Sequence, residues 1–147
     1  MSGGVLLVCG LLALAWGWIG GMKLEERMLE VIARRTPSGR EVLPFALGTG
    51  GLGLALTVGS VLLIDEHPGV ALILLLPVIA SVFVMAPVVV MCMPMTYSLW
   101  RHLLEDLERS GLDRARARSW VAVMGPWAVL MLTQFTIALL MLSTLVP

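Results

Sequence analysis

The side chains best suited to chemistry in this chain lie inside its apolar stretches. Met85 precedes a dense sulfur run, Met91-Cys92-Met93-Pro94-Met95. At 3.6 residues per turn, Met85, Met91, Cys92 and Met95 cover an arc of about 120° on an ideal helix. Soft sulfur ligands select Cu(I), so this arc is a candidate metal site. Gln134 is the amide carried within a span, close to Thr133 and Thr136. At such depth a carboxamide either bonds to a neighbouring helix or lines a pathway, and the bond between helices is the expected use. No acid or base accompanies it, which argues against a proton relay, a proton-coupled carrier or a voltage sensor.

The Met91 and Met95 spacing, Met-x-x-x-Met, resembles the motif in a transmembrane helix of Ctr-type copper transporters. The likeness covers five residues. The extracellular Met-rich segment and the His/Cys-rich cytosolic tail of that family have no counterpart here. The resemblance implies a soft-metal path. Methionine is also an adaptable filler around kinked helices, and packing is the expected role of these four residues.

The other reactive types are dispersed. His67 and His102 flank opposite ends of the third apolar run, roughly 50 Å apart along a straight helix, so one chain cannot bring both to one haem iron. Asp65-Glu66-His67 reads as a solvated turn. Arg114, Arg116 and Arg118 precede Trp120 and would meet anionic headgroups or a docking partner, at about 1 kcal/mol each near the surface. Cys9 and Cys92 fall in opposite leaflets of the expected topology, too far apart for a disulfide. No phosphate-binding loop, metalloprotease helix or nucleophile–base pair occurs, so no catalytic residue and no cofactor is expected.

Four apolar runs must position these groups. They span about residues 4–22, 42–64, 69–99 and 120–146. The third would be a helix of roughly 46 Å against a hydrocarbon core of about 30 Å, so a tilt, a kink or a projection is required. Pro77, Pro87 and Pro94 offer the kinks. Of 147 residues, 59% are apolar and 14% charged, and the mean hydropathy is +0.95, which places the chain among membrane proteins. It reads as one transmembrane domain over 1–147, with nothing to suggest nucleic acid as a partner. The first run lacks a basic start, so it is expected to remain as an anchor and not to act as a cleaved leader.

Every Lys and Arg falls in two loops, 23–41 and 100–119. Lys23, Arg27, Arg34, Arg35 and Arg40 occupy the first, and Arg101, Arg109, Arg114, Arg116 and Arg118 the second. By the positive-inside rule both loops are cytosolic and both termini outside, in a plasma (inner) membrane. Trp16, Trp18, Phe45, Tyr97, Trp100 and Trp120 cluster near the same ends, as an interfacial belt would. Each basic loop has an amphipathic helical stretch: Leu24, Met28 and Ile32 with Glu30–Arg34, then Leu99, Leu103 and Leu107 with a ladder of Arg101, Glu105 and Arg109. Gly111 is a natural C-cap and Asp113 a plausible N-cap. The expected fold is an all-α integral membrane protein: four transmembrane helices as two hairpins, N-out and C-out, with amphipathic cytosolic extensions.

Two spans carry small residues at helical spacing: Gly10, Ala13, Gly17 and Gly20 in the first, and Gly48, Gly51, Ala55 and Gly59 in the second. Small faces let backbones approach where lipid removes the hydrophobic drive between helices. These two are expected to meet and close the first hairpin, or to join a neighbouring subunit. The reading that follows is a non-enzymatic accessory or scaffolding subunit of a larger membrane protein complex, partnered by lipid and by other membrane subunits or copies of itself. The rival is a homo-oligomeric channel lined near Gln134.

Overall fold

The computed structural model describes the backbone of residues 3–35, 40–93 and 97–145, and side chains within these except 3–7, 22, 24–26, 28–29, 32–33, 97–100 and 145. The described chain is helical, with no strand among the described residues: α1 (Gly3–Arg35), α2 (Val42–Leu63), α3 (Pro68–Cys92), α4 (Tyr97–Arg109) and α5 (Arg114–Leu145). Among the described residues, three stretches are long and apolar enough to cross a membrane, namely Val42–Leu63, Pro68–Cys92 and Arg114–Thr144. The described apolar stretch of α1, Val8–Gly21, is shorter. Large apolar side chains face outward, including Leu62 at 74% exposure and Val84 at 68%. Such a surface matches hydrocarbon better than water.

α1 runs without interruption from its apolar stretch into the basic segment and ends on Arg34 and Arg35, where cations complement the helix dipole. The face assigned to Leu24, Met28 and Ile32 lies outside the described side chains.

The third span differs from its expected extent. α3 starts at Pro68, with the His67 carbonyl accepting from Ala71 N–H at 3.0 Å, and stops at Cys92 instead of reaching Leu99. Met93 is extended, at φ −73° and ψ 119°. Its place before Pro94 supplies the reason: the proline ring excludes helical backbone at the preceding residue. Twenty-five residues make a helix of about 37 Å, which needs only modest tilt in a bilayer, and the remaining chain forms the separate α4.

α4 closes in a Schellman motif. Leu112 N–H reaches the Leu107 carbonyl and Gly111 N–H the Glu108 carbonyl, each at 3.1 Å. Gly111 has φ +100°, open to glycine at little cost. Leu107 and Leu112, which flank the motif, are both buried in the main core. Asp113 then precedes α5, its carbonyl accepting from Ala117 N–H at 2.9 Å. On α4, Arg101 pairs with Glu105 at 3.0 Å, while Arg109 pairs with Asp106 at 3.3 Å and not with Glu105. The expected ladder is therefore two separate pairs.

α3 and α5 form the centre. α2 packs on both, α1 packs chiefly on α3, and α4 rests on α5. Registers give the directions. Gly17 faces Ala86 and Val90, and Gly20 and Gly21 face Pro87 and Met91, so numbers rise together and α1 is parallel to α3. Phe45 meets Trp127, Gly50 meets Leu130 and Gly53 meets Gln134, so α2 is parallel to α5. The Ile64–His67 turn makes α2 and α3 antiparallel, with Gly59 beside Leu74.

Candidate functional site: a polar seam between α2 and α5

α2 and α5 meet along a stripe that mixes small and hydroxyl residues. Val42, Ala46, Gly50, Gly53, Thr57 and Ser60 are the buried residues of α2, spaced by three and four. Opposite them on α5 stand Trp127, Leu130 and Gln134. A Cβ on Gly50 would come within 3.1 Å of Leu130 Cδ2 and 3.4 Å of Trp127 Cδ1. A Cβ on Gly53 would collide with the Gln134 carboxamide, which occupies the space glycine leaves.

Hydrogen bonds fix this contact. The Gln134 amide donates to the Gly50 carbonyl at 2.9 Å, and the Trp127 indole N–H donates to Thr49 Oγ1 at 2.8 Å. The Thr49 hydroxyl in turn donates to the Phe45 carbonyl at 2.7 Å. The Phe45 and Trp127 rings lie against each other, centroids 5.6 Å apart and tilted by 46°. Below them Thr57 and Ser60 return their hydroxyls to the carbonyls of Gly53 and Leu56, each at 2.8 Å. Gln134 Oε1 has no donor among the described residues. Chemically the seam can hold two helices in one register. Among its described residues it holds no acid or base, and its hydroxyls donate to helix carbonyls.

The other expected positions fall in different places. Thr133 and Thr136 are exposed and bond to their own helix, at Val129 and Leu132, so they do not share one face with the buried Gln134. Met85, Met91 and Cys92 pack in or against the main core. Met95 lies outside the described residues, and α3 ends before it, so the continuous helix that would align Met91 with Met95 stops short. Among the described residues no group of His, Cys, Asp and Glu could hold a metal ion. Arg114, Arg116 and Arg118 are exposed, and Arg114 pairs with Glu108 at 3.5 Å. Trp120, expected in the interfacial belt, is buried against its neighbours at 1% exposure. Tyr97 and Trp100 lie outside the described side chains.

The two small-residue faces do not meet. Ala13, Gly17 and Gly20 of α1 turn to α3, where a Gly17 Cβ would stand 2.8 Å from Val90 Cγ2 and 3.1 Å from the Ala86 carbonyl oxygen. A Cβ on Gly10 would meet nothing within 4 Å among the described residues, and Gly10 borders an open groove of about 390 Å³ among α1, α3 and α5, lined in part by Val89 and Phe135. On α2, a Cβ on Gly48 or Gly51 would meet nothing within 4 Å among the described residues and Ala55 is exposed; a Cβ on Gly59 would make only an ordinary contact with Leu74. At 100° per residue that face points roughly opposite to Gly50 and Gly53.

Gly50, Gly53, Thr49, Thr57, Ser60 and Trp127 escaped the sequence reading. The signal was present: Thr57 and Ser60 continue the Gly50–Gly53 stripe at the same spacing. A serine or threonine that returns its hydroxyl to its own helix behaves as a small residue in lipid. The chain matches no family model, no curated protein and no solved structure.

Proposed function

We propose that this chain is a small, non-enzymatic, multi-pass membrane protein that serves as a scaffolding subunit of a larger membrane assembly. In this reading α1 supplies a fourth span, the basic loops are cytosolic, both termini lie outside, and the location is a plasma (inner) membrane. The observation that carries the reading is the division of α2 into two opposed small-residue faces. One face is filled by α5. The other, with Gly48, Gly51 and Ala55, is exposed, and a Cβ on Gly48 or Gly51 would meet nothing within 4 Å among the described residues. Close approach of helices in lipid depends on such faces. A second surface adds support: the outer side of α5 is concave around Gly125 and Pro126, with Ala122, Val129 and Thr133 at its edges. The described intramembrane hydroxyls bond to helix carbonyls, and the Gln134 carboxamide is buried in the seam, which favours packing over a water path lined by that residue.

Mild extraction of the tagged chain from its own membrane, with the mass and protein content of the complex measured, tests the reading. Larger subunits at fixed stoichiometry are expected, and Gly51→Leu is expected to release them while the extracted chain keeps its helicity and melting temperature. A homo-oligomer without other subunits, conducting ions in liposomes, would contradict it and favour a channel.

A further inference from the structure

The outer side of α5 carries an open groove of about 670 Å³, with Ala122, Pro126, Val129 and Thr133 exposed along it. The helix runs on through Pro126, a residue without an N–H. The Ala122 carbonyl, one turn back, therefore lacks its helix bond, and no side chain of the described residues donates to it. The Thr133 hydroxyl is already given to the Val129 carbonyl. The groove thus combines an apolar surface with one backbone acceptor, and in hydrocarbon such an acceptor calls for a donor from a neighbouring helix.

α1 carries a ridge that matches this groove in shape, polarity and level. Leu11, Leu14 and Trp18 are 57%, 54% and 60% exposed, and their spacing of three and four sets them in one row. The Trp18 indole N–H has no acceptor among the described residues. Gly17 lies beside Ala86 and Val90, and Val88 borders one cavity with Trp120 and Met124, so Trp18 stands level with the turn of α5 that holds Ala122 and Pro126. α1 is parallel to α3 and therefore antiparallel to α5, which puts Leu14 and Leu11 at the levels of Val129 and Thr133. From Leu11 to Trp18 the ridge is about 10 Å long, and from Ala122 to Thr133 the groove is about 16 Å, so one fits within the other. No described residue of α1 lines the groove of its own chain. Two copies inserted in the same sense would bring ridge and groove to the same depth.

We propose that the α5 groove takes the α1 ridge of a second copy of this chain, with the Trp18 indole N–H donating to the Ala122 carbonyl that Pro126 leaves without a helix bond. The contact is head-to-tail, because ridge and groove lie on different helices, so each copy can offer one to each of two neighbours. The inference deepens the scaffolding reading and rests on it for the placement of α1 as a span: it names the occupant of the α5 face and leaves the outer face of α2 to other subunits.

The test co-expresses two differently tagged full chains, both carrying Cys9→Ser, one with Leu14→Cys and the other with Val129→Cys, and oxidises them in their own membrane. A disulfide between the two tags is expected. Leu14→Cys paired with Ile137→Cys, exposed on α5 but at another level, should give none. The purified chain, reconstituted alone and diluted with lipid, then yields the strength of self-association by energy transfer between labelled copies. Trp18→Phe should weaken it about threefold, the factor equivalent to the roughly 0.6 kcal/mol of a hydrogen bond between helices in lipid. Pro126→Ala returns an N–H to the Ala122 carbonyl, so in that background Trp18→Phe should change nothing further. Ala122→Leu, at an exposed position, should fill the groove and abolish association while the melting temperature stays unchanged. Absence of the Leu14–Val129 crosslink, an equal crosslink to Ile137, or a Trp18→Phe loss that persists beside Pro126→Ala would each overturn the proposal. The reconstituted chain meets no other subunit, so its self-association is read separately from the larger partners that test the scaffolding reading.

Discussion

The molecule contains two parallel helix pairs, and they are held together differently. α1 lies on α3 through glycines that meet a proline ring, a valine methyl and a backbone carbonyl. α2 lies on α5 through glycines that meet a carboxamide and an indole, and two side-chain hydrogen bonds cross the contact. Both pairs use small residues to gain close approach, which is the main source of packing energy once lipid surrounds the helices. Among the described residues, only the second adds directional side-chain bonds between its helices. A shape-only contact tolerates sliding by a turn more readily than one in which Gln134 must find Gly50 and Trp127 must find Thr49. The α2–α5 seam is therefore the part of the molecule that sets register, and α1 is the more adaptable element.

The largest effect expected from this contrast comes from filling the seam. Gly53→Leu drives a side chain into the space of Gln134, and overpacking of this kind costs about 3 kcal/mol or more. The loss is read as a fall in the midpoint of denaturant-induced unfolding in mixed micelles. Gly51→Leu, two positions away and on the opposite face, should leave the midpoint of the extracted chain within about 0.5 kcal/mol of the parent. Equal damage from both would erase the distinction between the two faces of α2.

Gly17→Leu probes the first pair. Val90 Cγ2 and the Ala86 carbonyl would both stand closer than a normal contact, but α1 is peripheral and free to shift outward. A cost of about 1–3 kcal/mol, at the lower end of the range, is expected. A loss exceeding that of Gly53→Leu would reverse the ranking of the two pairs.

The fold and the seam were unequally legible in the sequence. Hydropathy and basic residues separate the apolar stretches, and Gly111 announces the end of α4 because only its left-handed backbone allows the Schellman bonds. The break after Cys92 was also readable in principle. Met93 precedes Pro94, and that local rule outranks the apolar run that continues through it. The choice of face on α2 was not readable from glycine density. Gly48, Gly51, Ala55 and Gly59 form the denser small stripe, yet the buried one is Gly50, Gly53, Thr57 and Ser60. In a helix apolar on all sides, no charged or strongly polar stripe separates inside from outside, and the decision rests with the partner. Gln134 was recognised as a bond between helices, but its acceptor, a backbone carbonyl released by glycine, leaves no mark in side-chain pattern.

Smaller effects sharpen the same comparison. Gly111→Ala should destabilise by about 1 kcal/mol through its positive φ, independently of either helix pair. Trp127→Phe removes the donor to Thr49 and keeps the ring against Phe45, so roughly 0.6 kcal/mol is expected, the size typical of hydrogen bonds between helices in membranes. Unfolding midpoints in the same micelles measure both.

The most direct test of the seam is a double-mutant cycle between Gly53→Ala and Gln134→Ala, read as unfolding free energy. Gly53→Ala alone should destabilise clearly, because its methyl meets the carboxamide. In the Gln134→Ala background the same change should cost little, giving a coupling of about 0.5–3 kcal/mol. Additive losses would mean that Gln134 and Gly53 do not share one space, and the register-setting role of the seam would be contradicted.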